Sequence, residues 1–117
     1  MESDRLSAVL GEIATLPDFA GAEVPSVTMR SSAGNTPLHV AAIRGDRNAV
    51  LLLLEADADP NAVGEGGCTP LHEALEQQHV QVARMLVAAG SQLDTKNHDG
   101  VTPRDMAKTI PLWEGEN

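Results

Sequence analysis

The chain has 117 residues, 42% of them hydrophobic but only 2% aromatic, and a formal net charge of −9 at pH 7. That length fits one small domain, and its core must be built from Leu, Val, Ala and Ile. The acidity disfavours nucleic acid as a ligand, so few aromatics exclude a base-stacking platform, and a single cysteine, Cys68, excludes an intrachain disulfide or a thiolate metal cage.

The opening stretch MESDRLSAVLGEI carries two acids before position 5, Glu2 and Asp4, and no long apolar run, unlike a secretory signal. No stretch approaches the ~20 apolar residues of a membrane span. The expectation is therefore a cytoplasmic protein without membrane attachment. Leu6, Val9, Leu10 and Ile13 follow the spacing of one amphipathic helix, with Ser3 or Asp4 near its start and Pro17 ending it. A loop around PDFAGAEVP follows, and Val27 and Met29 are expected to enter a first hairpin.

From there the sequence repeats. NTPLHVA at 35–41 returns as CTPLHEA at 68–74, and GVTPRDMA follows, so that Pro37, Pro70 and Pro103 stand 33 residues apart. A fixed period of that size points to stacked units. Thr36, Thr69 and Thr102 stand at helix N-caps, with Pro37, Pro70 and Pro103 at the first helical position, where the missing N–H costs nothing. Gly34, Gly67 and Gly100 recur just before them, as tight turns with positive φ require. Leu38, Ala41 and Ala42 form the apolar face of a first short helix, matched by Leu71, Ala74 and Leu75. Gly45 ends the first of these helices. Val50, Leu53 and Leu54 face inward from a second helix, matched by Ala83, Leu86 and Val87. Two such short helices cannot bury their faces alone, so neighbours must stack.

The stretch GNTPLHVAAIRGDRNAVLLLLEADADPNA closely resembles an ankyrin repeat, GCTPLHEALEQQHVQVARMLVAAGSQLDT resembles a second, and DGVTPRDMAK the opening of a third. The resemblance implies an all-α solenoid of helix–turn–helix units with β-hairpin-like turns. One domain over 1–117 is expected: an N-terminal cap (1–32), repeat 1 (33–65), repeat 2 (66–98), and a truncated repeat 3 with a tail (99–117). Departures from the family pattern are Asp57 and Gln78 where glycine is usual, Gln92 for an Asp, and Arg104–Asp105 for Leu–His. The first two should be strained, and the last fits a unit whose outer face meets water.

The resemblance also implies a non-catalytic module that binds another protein. His39 and His72 would brace their turns through Thr and backbone, and a zinc site would need about four convergent ligands, which His79 and His98 do not complete. A hydrolase using Cys68 and His72 is the weakest reading, because a nucleophile pair also needs an orienting group and an oxyanion hole. GEGG at 64–67 lacks the Lys-Ser/Thr ending of a phosphate loop. No cofactor is expected. By resemblance, the binding candidates are Val40, Ile43, Arg44, Glu73, Glu76, Gln77, Met106 and Thr109 on the first helices. Arg30, Ser32, Glu65, Lys96, His98 and Asp99 join them at the turn tips. The expected partner is a protein with a basic or mixed basic and apolar surface, and the free chain a monomer. A toxin-neutralising antidote, or immunity protein, is one role the acidity fits; a regulatory or assembly subunit, such as an inhibitor of a host enzyme, is the other.

Overall fold

The computed structural model describes residues 2–19 and 26–108. Helix α1 (Glu2–Ala14) begins slightly before the expected Ser3–Asp4 start. Its apolar stripe buries Leu10 and Ile13, with Leu6 and Val9 beside them. The residue before a proline avoids the helical region, so α1 ends ahead of Pro17. A single 3₁₀ turn, Pro17–Phe19, follows and drives Phe19 into the core at 2% exposure. Val27 and Met29 do not enter a hairpin. Met29 N–H closes a turn onto the Ser26 carbonyl at 3.3 Å, and the Met29 side chain is buried. The hairpin-like stem starts only at Ser31, whose N–H meets the Asn35 carbonyl.

The repeated sequence then gives repeated structure. Helices α2 (Pro37–Arg44) and α3 (Arg47–Glu55) form one antiparallel pair, and α4 (Pro70–Glu76) and α5 (Val80–Ala88) form the next. Helix α6 (Pro103–Met106) opens a third unit. Thr36, Thr69 and Thr102 each cap as expected, their side-chain oxygens accepting an N–H three residues on. Asp46 caps α3 in the same way through Ala49 N–H. Among the described residues there is no strand. The hairpin character lies in single backbone pairs at the stem of each turn: Ser31 to Asn35, Gly64 to Cys68 and Asn97 to Val101, 33 residues apart, at 2.8–3.0 Å.

Two rows result. Helices α2, α4 and α6 lie side by side as an inner row, while α1, α3 and α5 form the outer one. The core between the rows is aliphatic, with Leu38, Leu53, Leu71 and Leu86 wholly buried. At ~25 cal/mol per Å², such burial is the main stabilising term, and each unit depends on its neighbour for part of it. No helix among the described residues is long and apolar enough to cross a membrane.

Candidate functional site

The Thr-Pro-Leu-His segments place a histidine one helical turn inside the cap. His39 is fully buried, and its Nδ1 accepts the Thr36 N–H at 3.1 Å and lies 2.9 Å from the Thr36 hydroxyl. An acceptor at Nδ1 leaves Nε2–H as the donor, and Nε2 reaches the Cys68 carbonyl of the next unit at 2.9 Å. His72 repeats the pattern: Thr69 N–H to Nδ1 at 3.0 Å, and Nε2 to the Val101 carbonyl at 3.0 Å. Each ring thus ties its own cap to the following turn. Asp105 keeps only the near half, its carboxylate accepting the Thr102 N–H. Burial holds the His39 pKa below the usual 6.5, partly offset by the hydrogen bond to Cys68.

This geometry occupies the rings. Both nitrogens of His72 are engaged, and Cys68 Sγ instead meets Asn97 Nδ2 at 3.7 Å, with burial pushing the thiol pKa up. A raised pKa is the opposite of what a nucleophilic cysteine needs. Among the described residues, no three His, Cys, Asp or Glu side chains converge as metal ligands.

The turn tips are knitted together by polar side chains. Arg30 donates from Nη1 to the Gly34 carbonyl at 2.8 Å and to the Val63 carbonyl of the next unit at 2.7 Å. Asn35 Oδ1 accepts Glu65 N–H at 3.0 Å, and His98 N–H donates to the Gly66 carbonyl at 2.8 Å. Arg30 and His98, expected among the partner contacts, are exposed, and the Arg30 guanidinium and the His98 amide also link successive turns. Asn35 went unremarked, because the backbone it serves leaves no mark in the sequence.

On the inner row, Val40 and Met106 pack partly into the core, while Ile43 is 37% exposed. Arg44 turns toward α1 and pairs with Glu12 at 3.2 Å. Glu73 is half-buried, and Glu65, Glu76 and Gln77 are exposed beside it. Burial, then the like charges of Glu76 and Glu65, raise the Glu73 carboxyl above its ordinary pKa. Ser32, Lys96 and Asp99 stand exposed at the tips. Thr109 lies outside the described residues. Two contributors were missed: Leu16 and Phe19, which line an open groove with Val40 and Ile43. Phe19 sits in a stretch without periodicity, so only its being the sole Phe set it apart.

The sequence-family model described as "Ankyrin repeats (3 copies)" matches residues 12–97. The chain belongs to the ankyrin repeat family. Ankyrin repeats are protein–protein interaction modules, in general non-catalytic. The chain is 32% identical to mouse "Protein phosphatase 1 regulatory subunit 27" over 82% of its own length and 62% of that protein's. It is 38% identical to human "Neurogenic locus notch homolog protein 1" over 85% of its length, but 4% of that protein's. With Drosophila melanogaster "Protein fem-1 homolog CG6966" it shares 44% identity over 51% of its length and 9% of the relative's. The likeness to all three is thus that of one ankyrin domain to part of a larger chain.

Proposed function

We propose that this ankyrin domain binds a partner protein across its inner face, made by α2, α4 and the tip at 64–67, and that the partner's surface is basic with apolar spots. The observation that carries the reading is the clustering of Glu65, Glu73 and Glu76. Their mutual repulsion, added to burial, raises the Glu73 pKa, and no cation among the described residues forms an ion pair with any of the three. A partner cation placed there relieves repulsion the free chain carries, and charge of this kind speeds encounter more than it deepens affinity. The role is regulatory, the binding of a larger protein to alter its activity or assembly. The similarity to a phosphatase regulatory subunit supports it. Toxin neutralisation, the other role the acidity fits, rests on the chain's size, charge and family.

Capture from native lysate tests the reading. The double reversal Glu73→Lys with Glu76→Lys should abolish capture while helical circular dichroism stays near wild type. The control reversal, Glu114→Lys with Glu116→Lys, lies outside the described residues and should capture normally. Equal small effects of the two pairs would move the binding face elsewhere.

A further inference from the structure

The outer row runs α1, α3, α5, but the inner row begins only at α2. Among the described residues, the Pro17–Phe19 turn lies beside α2. Between them is an open groove of about 370 Å³. Leu16, Val40, Ile43 and the buried Phe19 line it, together with the charged Arg44 and Glu65. The two charges differ in their partners. Arg44 pairs with Glu12, whereas Glu65 belongs to the acidic cluster with Glu73 and Glu76.

We propose that this groove seats one large apolar side chain of an extended partner segment, whose Lys or Arg about three residues away lies on Glu65, Glu73 and Glu76. The proposal rests on the protein-binding reading above and adds the chemistry of the partner. The spacing comes from the repeat. Glu73 and Glu76 stand one 33-residue period from Val40 and Ile43, on the neighbouring helix. Packed helices lie about 8–10 Å apart, and an extended chain advances about 3.3 Å per residue, so roughly three residues bridge anchor and charge. The groove is open and lined by Val40 and Ile43 of the inner-row helix α2, which suits a chain segment laid across it. An apolar side chain entering it covers Ile43, one of the few large hydrophobics left exposed. The positive charge goes to Glu65, Glu73 and Glu76, which form no ion pair with a described cation, rather than beside Arg44.

The test is a random-peptide display library panned on the full chain. Enriched peptides should share a large apolar residue with Lys or Arg about three positions away. Against a synthetic enriched peptide, Ile43→Gln should weaken binding roughly tenfold or more, as loss of a central apolar anchor does. Glu73→Gln with Glu76→Gln should weaken it severalfold and flatten its salt dependence. Leu51→Gln, exposed on α3, should leave it unchanged. Several results would overturn the proposal: no enrichment, enriched peptides without the apolar–basic pair, or binding indifferent to Ile43→Gln. A free chain that is dimeric, and made monomeric by Ile43→Gln, would show that a second copy fills the groove and would equally sink it. If charge reversal abolishes partner capture but Ile43→Gln changes nothing, the inner face still binds and only the groove is wrong. If peptides obey the pattern while capture ignores charge reversal, the groove stands and the inner-face reading falls.

Discussion

The two complete helix pairs turn the same two corners with opposite choices of residue. Between α2 and α3 the chain uses Gly45 at φ 68°, while between α4 and α5 it uses Gln78 at φ 60°. After the second helix the order reverses, with Asp57 at φ 67° in the first pair and Gly90 at φ 104° in the second. Left-handed backbone costs a residue with a Cβ roughly 1–2 kcal/mol, so each pair carries one strained corner and one relaxed one. The corners differ in what surrounds them. A Cβ at Gly45 would stand 2.6 Å from the His79 ring, which docks there with Nε2 on the Ile43 carbonyl at 3.1 Å. A Cβ at Gly90 would meet nothing within 4 Å. Glycine at 45 is thus demanded by the neighbouring unit as well as by φ, and glycine at 90 by φ alone.

The largest expected effect tests whether the two pairs share one core. Leu53→Ala should cost about 2–5 kcal/mol, as fully buried leucines do, and the equivalent Leu86→Ala should cost as much. Both leucines are wholly buried. One cooperative melt, lowered by either change, is expected. Two separable transitions would show that the pairs fold independently.

Next comes the corner itself. Gly45→Ala should destabilise by roughly 1–3 kcal/mol, combining φ strain with the His79 clash. Adding His79→Ala should recover part of that loss in denaturant titrations. Gly90→Ala should suffer the strain alone, so a loss matching Gly45→Ala would remove the distinction between the corners.

His39→Ala follows. It leaves the Thr36 N–H and the Cys68 carbonyl without their partner, at a cost of about 1–3 kcal/mol. Because burial lowers the His39 pKa below 6.5, the folded state binds that proton less readily than the unfolded chain. Its stabilising contribution is therefore complete above about pH 6.5 and is lost as pH falls through the depressed folded value. Melts from pH 7 down to 5 should decline for wild type and decline less for His39→Ala. Parallel curves would mean that this ring does not report on acid.

Smallest are the strained corners. Asp57→Gly and Gln78→Gly should each leave stability unchanged or raise it by up to ~1 kcal/mol, since relief of strain is offset by a freer unfolded chain. A clear loss at either site would mean that its side chain does more than tolerate the turn.

These corners also show what was legible beforehand. Asp57 and Gln78 could be marked as strained from the sequence because the period sets them against Gly90 and Gly45. The caps at Thr36, Thr69 and Thr102 followed from the same period, and the role of both histidines from the family resemblance. The period gives no help where the chain is not repeated. Val27 and Met29, expected in a hairpin, lie at a turn closed by the Met29 N–H onto the Ser26 carbonyl, and Phe19 lines a groove. Arg30 and His98, exposed and polar in pattern, also tie neighbouring turns, Arg30 through its guanidinium to the Val63 carbonyl and His98 through its amide to the Gly66 carbonyl. The Arg104–Asp94 fork at 2.9 Å also escaped notice, because neither residue has a partner at helical spacing. At such exposed positions it contributes little to stability.

On this proposal the inner face, not the outer one, meets the partner. Hydrogen exchange of the chain with and without the captured protein tests it most directly. Added protection should concentrate on α2, α4 and the tip at 64–67, with the outer faces of α3 and α5 unchanged. Protection centred on α3 and α5, with the inner row exchanging as in the free chain, would contradict it.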